Sequence, residues 1–305
     1  MIVVFGSINV DLITPVPHLP SRGETVLGRD YAVVQGGKGA NQALAAACGG
    51  GSGQRVAMVG TVGTDAWGGF ALERLAAAGV DLSCVAHGRA RTACGFISVD
   101  PYGQTLITVS PGANMETCAS LLDRLTPPLA RGDWLLLQME VPIEENWRAL
   151  RAAKAAGART LLNLAPATPV DEAVLRELDI LVVNECEAEM LGTHLQIGTR
   201  DHAGIAKALA ARCGVLVTLG VRGSIAVEPT DVTWRTNVLQ VSVADTTGAG
   251  DAYVGYLAAA LDGGASLSKA MRFASVGASL SCEATGAQTA YRQRDEVLAR
   301  VRDLP

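Results

Sequence analysis

Apolar residues in this chain gather in short unbroken runs: Ile2–Phe5, Arg55–Val59, Trp134–Gln138, Thr160–Asn163, Ile180–Val183, Val215–Leu219 and Ser224–Val227. Runs that do not alternate with polar residues mark strands covered on both faces, and helical periodicity separates most of them. The pattern therefore predicts an α/β chain with a central, mostly parallel sheet flanked by helices. Helices are expected over the alanine-rich Gln42–Cys48, ended by three glycines, over Gly68–Ala78, stopped by Gly79, and over Leu267–Cys282 and Gln293–Arg302 in the tail. Two stretches break the alternation, at about residues 10–35 and 92–111. The first is punctuated by Pro15, Pro17, Pro20 and Gly23 and turns extended from Glu24 to Val34. The second reads as a hairpin, Cys94–Asp100 and Thr105–Ser110 about Pro101-Tyr102-Gly103. Neither contains a helix, so the two are expected to pair as a small sheet outside the main one, within a single domain over residues 1–305.

Ligands of open α/β sheets bind beyond the carboxyl ends of the strands. The polar residues at those ends are Asn9, Asp11, Gln138 with Glu140, Asn163, Asn184 with Glu187, Thr218 with Gly220, and Asp245. Their shared position in successive units implies one assembled site. The most telling stretch is Asp245-Thr246-Thr247-Gly248-Ala249-Gly250-Asp251, between the apolar run Val238–Val243 and a segment with Val254, Leu257, Ala258 and Leu261 on one face. It reads as strand, tight turn and helix. Glycines let the backbone bend and approach a ligand, and the helix start offers unpaired N–H groups to an anion. Asp251 beside that pocket suits a hydroxyl attacking a phosphoryl group; a glycine-rich turn with an N-cap aspartate is the plain alternative.

Other candidates carry paired readings too. Gly36-Gly37-Lys38-Gly39-Ala40-Asn41 offers a cation and an amide at a helix start, yet lacks the spacing of a P-loop, and Gly6 lacks the dinucleotide fingerprint. The acids after Asn184 either complement a helix dipole or hold Mg²⁺ through water. Thr218-Leu219-Gly220-Val221-Arg222-Gly223 is either a turn that admits a nucleotide or a simple hairpin. Composition narrows the classes further. The chain has 305 residues, 49% of them hydrophobic, and a net charge of −5 with scattered basic residues, which argues against a nucleic-acid partner. No apolar run reaches the roughly 18 residues of a membrane span, and the start lacks a signal peptide, so a cytoplasmic location is expected. Seven cysteines without a C-x-x-C pair suggest neither zinc nor disulfides, and the four histidines show no ligand spacing.

Taken together, Gly6–Asp11, Gly36–Asn41, Gln138-Met139-Glu140, Asn163–Ala167, Asn184 with Glu187, Thr218–Gly223 and Asp245–Asp251 resemble, in order, the ribokinase (PfkB) family of carbohydrate kinases over nearly the whole chain. The resemblance implies ATP-dependent phosphorylation of the primary 5-hydroxyl of D-ribose. Asn9, Asp11, Gly37, Lys38, Asn41 and Glu140 would touch the sugar, Asp251 would be the base, and Gly248, Ala249 and Gly250 would form an anion hole. It further implies that Asn184, Thr218, Gly220, Gly223 and Gly250 meet the nucleotide and that Glu187 orients hydrated Mg²⁺. Asp245, Thr247 and Gly286 would serve an activating K⁺, and the small sheet would be a lid that pairs two subunits in a homodimer. Two departures stand out: Leu164 where the family has proline, and Thr289-Ala290-Tyr291 after Gly286-Ala287-Gln288 in place of proline and serine. Rival expectations are a kinase of another sugar or a nucleoside, and a sugar-binding regulator without catalysis.

Overall fold

The structure is a computed structural model that describes all 305 residues. From the N-terminus, β1 (Ile2–Phe5), β2 (Asn9–Pro15) and β3 (Ala32–Gly36) lead into α1 (Lys38–Gly49), β4 (Val56–Gly63), α2 (Ala66–Ala77) and β5 (Asp81–Gly88). β6 (Ala93–Val99) and β7 (Thr105–Ser110) precede β8 (Trp134–Leu137), α3 (Ile143–Ala155), β9 (Arg159–Asn163), α4 (Glu172–Leu175), β10 (Ile180–Asn184), α5 (Glu185–His194), α6 (His202–Ala210) and β11 (Gly214–Thr218). A hairpin of β12 (Ser224–Val227) and β13 (Thr233–Thr236) follows, and α7 (Ala249–Asp262), α8 (Leu267–Ser281) and α9 (Arg294–Arg300) complete the chain.

Nine strands form the main sheet in the order β13-β12-β11-β10-β9-β8-β1-β4-β5. The seven from β11 to β5 are parallel, and the β12–β13 hairpin adds an antiparallel edge. Successive residues of each strand point to opposite faces, and both faces are apolar. Ile2, Val4, Leu136 and Leu161 pack with α1, α7 and α8, while Val3, Phe5, Leu135 and Leu162 pack with α3, α5 and α6. This double coverage explains why the strands read as unbroken apolar runs.

The two non-helical excursions do pair, as a four-stranded sheet β3-β2-β6-β7. β2 and β6 lie parallel, with Asp11 opposite Gly95, and the neighbouring pairs are antiparallel. Phe96, Leu106, Ile107 and Val109 on this sheet are exposed. Between Glu24 and Val34 only the final residues join a strand, and residues 22–31 make no ladder. The Asp81–Gly88 strand, whose burial is mixed and follows no simple run, was not legible in the hydrophobic pattern.

One expected strand is absent. The apolar run Val238–Val243 joins no sheet. It lies along α8, where the Leu239 amide donates to Ser279 Oγ at 3.2 Å and Ser275 Oγ donates to the Asn237 carbonyl at 2.6 Å. At its end the Ala244 amide donates to the Cys282 carbonyl at 2.8 Å. Helix-borne hydroxyls and a helix carbonyl thus replace a strand partner for this segment.

Helices α1 and α7 bring the two glycine-rich turns together. A Cβ on Gly255 would stand 2.6 Å from the Gln42 carbonyl oxygen and 2.5 Å from Ala45 Cβ, so the axes can meet this closely only at glycine. One turn before Gly255 stands Asp251, and the close crossing sets it against the side chains that open α1.

Candidate active site

Helix α7 begins after Gly248, whose φ of +73° is a left-handed conformation in which a side chain is strained; an added Cβ would also collide with Ala287. This bend aims the helix start into a cavity. The amides of Gly248, Gly250 and Asp251 take no hydrogen bond within the protein, whereas that of Ala249 donates to the Thr246 carbonyl at 3.2 Å. Three free N–H groups at the positive end of a 14-residue helix make an anion site.

Asp251 does not cap its own helix. Its side chain is turned toward α1 and is 7% exposed. Oδ2 accepts from Asn41 Nδ2 at 2.9 Å and Oδ1 from Gln42 Nε2 at 2.9 Å. Of the two readings open from the sequence, the N-cap aspartate is the one the geometry removes. A cavity of about 160 Å³ joins Asp251 to Lys38, Asn163, Asn184, Glu187, Thr218, Gly248 and Gly250. The negative charge of Asp251, foremost, holds the Lys38 ammonium above its usual pKa; burial opposes this, and Glu140, Glu187 and Asp11 add to it. One cation therefore stands among four carboxylates.

Around the far side of Lys38 lie the residues at the start of β2. Asn9 is buried, and its Oδ1 accepts from Asn114 Nδ2 at 2.7 Å. The Asn114 Oδ1 in turn accepts from the Ile8 amide at 3.0 Å, so one amide ties the strand's entry and its first polar side chain. Asp11 sits where a Cβ on either Gly36 or Gly95 would collide with its carboxylate. Burial, and next the negative charge of Glu140, push its pKa to about 6. Glu140 Oε2 accepts from Ser7 Oγ at 2.5 Å and from the Lys38 amide at 3.1 Å, which fastens the Gly37-Lys38 turn. Of these residues Lys38 lines the cavity with Asp251; Asn41 is joined to it through its bond to Asp251, and Asp11 and Glu140 act on it through the charge they set beside Lys38.

At the other end, Asn184 and Glu187 form a capping box on α5. The Asn184 amide donates to Glu187 Oε2 at 2.7 Å and the Glu187 amide to Asn184 Oδ1 at 2.8 Å. Burial raises the Glu187 pKa, against the lowering effect of the Asn184 amide. Both residues also line the cavity, so capping and ligand contact are compatible. No group of three or more His, Cys, Asp or Glu is clustered for direct metal coordination. A hydrated Mg²⁺ carried on phosphates fits this donor set better than a caged ion does. Thr218 and Gly250 lead from the cavity into a second one of about 260 Å³, lined by Gly220, Gly223, Val238, Leu239, Val241, Val243, Tyr253 and Ser279. The apolar run that left the sheet walls this groove, whose dimensions and lining suit a nucleobase.

Asp245, Thr247 and Gly286 come together behind the α7 turn. Asp245 Oδ1 accepts from the Thr247 amide at 2.9 Å and hydroxyl at 2.7 Å, and Oδ2 accepts from the Gly286 amide at 2.8 Å. Burial alone would raise the Asp245 pKa, but these donors hold it below the usual range. Sequence reasoning missed several supporting residues: Ser7, Gln42, Asn114 and Gln288. Gln42 carried a signal only in its place one residue past the glycine-rich turn.

The profile of the pfkB family carbohydrate kinases matches residues 1–294. Ribokinase of Haemophilus influenzae is 33% identical over 302 residues, which cover 97% of this chain and 96% of that protein. Among solved structures, ribokinase of Thermotoga maritima is similar with a TM-score of 0.89 and 31% identity, covering 99% of both chains. Arabidopsis thaliana ribokinase complexed with ribose and ATP gives a TM-score of 0.86 at 29% identity, over 99% of this chain and 98% of that one. The glycine-rich turns, the buried aspartate between them and this end-to-end similarity agree, and the chain belongs to the pfkB family of carbohydrate kinases.

Proposed function

We propose that this protein transfers the terminal phosphoryl group of ATP to the 5-hydroxyl of D-ribose, forming ribose 5-phosphate and ADP. The observation that carries it is the meeting of Asp251, Lys38 and the free amides of Gly248 and Gly250 in one cavity, with Asp251 held from outside it by Asn41 and Gln42. Ribose would lie against Asn9, Asp11, Gly37, Lys38, Asn41 and Glu140, with its primary hydroxyl at Asp251. A carboxylate is a weak base toward an alcohol, so Asp251 takes the proton late, as the O–P bond forms. Alignment in the cavity and the N–H groups at the α7 start, against the charge of the transferred phosphoryl, provide most of the acceleration.

The nucleotide would extend from the α7 turn along Asn184, Thr218, Gly220 and Gly223 into the apolar groove. Mg²⁺ bound with ATP would be held through water by Glu187 and would neutralise phosphate charge. Asp245, Thr247 and Gly286 would hold an activating K⁺. No helix is long and apolar enough to cross a membrane, in keeping with a cytoplasmic enzyme. We read residues 1–305 as one kinase domain whose small sheet is a lid; its exposed Phe96, Leu106, Ile107 and Val109 suit burial in a homodimer. The lid aromatics Tyr31, Phe96 and Tyr102 are exposed rather than stacked over the cavity, which disfavours a nucleoside acceptor.

A panel of sugars and nucleosides with coupled ADP detection tests the assignment. Ribose is expected to give the highest kcat/KM, and Asp251→Asn to bind ribose while losing about 10²-fold or more in kcat. Turnover of another acceptor with none of ribose overturns the substrate. Undiminished turnover in Asp251→Asn overturns the base, and absence of turnover in the parent with ribose bound favours the regulator alternative.

A further inference from the structure

Each oxygen of Asp251 is held by an amide that is itself held by a second amide. On one side Gln42 Nε2 donates to Asp251 Oδ1 and to Asn163 Oδ1 (2.9 and 3.0 Å), while Gln42 Oε1 accepts from Gln138 Nε2 at 2.7 Å. On the other, Asn41 Nδ2 donates to Oδ2, and Asn41 Oδ1 accepts from Gln288 Nε2 at 3.0 Å. All six residues are buried. Gln138 and Gln288 come from opposite sides of the fold, one after β8 and the other from the loop between α8 and α9, and neither reaches the cavity lining.

An amide can present either its oxygen or its N–H₂ to a neighbour, and the two are almost equal in shape. Presented with oxygen, Gln42 would set a lone pair against an anionic carboxylate and a second against Asn163 Oδ1. The Gln138 N–H₂ opposes that flip, because it would then face the Gln42 N–H₂. Gln138 itself is fixed at a cost: its Oε1 is buried with no hydrogen-bond partner, in space that exists because residue 6 is glycine, where a Cβ would collide with it. The Gln288 Oε1 is likewise buried and unpartnered. An amide pair that leaves its outer oxygens unsatisfied while satisfying both inner contacts is oriented for the inner contact.

We infer that Gln138 and Gln288 are positioning residues that lock Gln42 and Asn41 with their N–H groups toward Asp251, keeping its carboxylate aimed at the acceptor hydroxyl. This rests on Asp251 being the base. The two arms differ in consequence. Gln42 lies off the sugar, so the Gln138 arm governs kcat. Asn41 also meets the sugar in the proposed complex, so the Gln288 arm governs kcat and KM together.

The test uses the full chain with ribose and ATP. Gln138→Met, similar in volume and without the donor, should lower kcat about tenfold to 10²-fold with the ribose KM little changed. In an Asp251→Asn background the same substitution should cost nothing further, since it acts through the carboxylate. Gln138→Glu gives a second readout that survives a fall in stability. Only the protonated carboxyl can donate to Gln42 Oε1, so the variant's kcat relative to the parent enzyme should rise as pH falls. A parental kcat in Gln138→Met, a loss confined to KM, full additivity with Asp251→Asn, or a pH-independent ratio in Gln138→Glu each overturns the inference. The base assignment fails separately, through retained activity in Asp251→Asn alone.

Discussion

Asp11 offers a test in which stability and binding move in opposite directions. Its pKa is raised from the 3.8 of a free aspartate to about 6, with burial as the main cause and Glu140 the second. At about 1.36 kcal/mol per unit, the ionised side chain therefore disfavours the folded state by about 3 kcal/mol in the absence of ligand. The sign follows from proton binding. Between about pH 4 and pH 6 the folded chain holds a proton that the unfolded chain has lost, so stability is full below the lower value and declines as pH rises through the upper one. Asp11→Asn removes the charge and with it the decline. Its stability should match the parent at pH 4 and exceed it at pH 7 by up to about 3 kcal/mol, a Tm gain of about 5 °C for a chain of this size. Ribose binding should show the reverse. In the proposed complex the ionised carboxylate accepts sugar hydroxyls, so the parental KM for ribose should rise as pH falls through about 6. In Asp11→Asn the KM should lie about tenfold or more above the parent's at pH 7, the worth of hydrogen bonds to a charged group, and stay level as pH falls while the parent's rises towards it. Urea denaturation at pH 4 to 8 and initial rates over the same range measure both. A stability difference that stays flat across that range refutes the electrostatic account, and an unchanged KM in the variant removes Asp11 from the sugar site.

Other consequences can be checked separately. Gly248→Ala meets both a left-handed φ of +73° and Ala287, so the helix start must move; kcat should fall at least about tenfold, seen in steady-state rates, while secondary structure by circular dichroism is retained. Gly255→Val should push α7 off α1, lowering Tm by several degrees and kcat with it, because Asp251 then parts from Asn41 and Gln42; thermal melts and rate assays report each. Turnover should be higher in K⁺ than in Li⁺ or tetramethylammonium at equal ionic strength, and Asp245→Ala should abolish the difference; equal rates in all three salts would remove the proposed K⁺ role.

The residues explain what was legible. Strands such as Trp134–Leu137 and Ile180–Asn184 face apolar helices on both sides, so burial alone wrote them into the sequence as runs. Val238–Val243 is equally apolar for another reason: it lines a groove, and its backbone is satisfied by Ser279 and neighbouring α8 groups, which a one-dimensional pattern does not distinguish from strand pairing. Asp251 was legible through its place after two glycines at a helix start, a setting that also fits an N-cap until the fold shows its carboxylate turned to α1. Its supports were not. Gln42 and Gln138 are 96 residues apart, as their hydrogen bond records, and a buried glutamine looks like any polar residue until the chain is folded. The same holds for Asn114, which acts on Asn9 from 105 positions away.

Strand β2 begins inside the protein at Asn9 and runs out into the small sheet, whereas the groove beyond Thr218 is walled by α7, α8 and the unpaired segment before them. In the proposed complex acceptor and donor are consequently read by different parts of the chain, which meet in the cavity at Lys38, Asp251 and the α7 turn. Reprogramming this enzyme for a new sugar would then begin with β2, the turn that opens α1 and Glu140 after β8, with the delivery half left as it is.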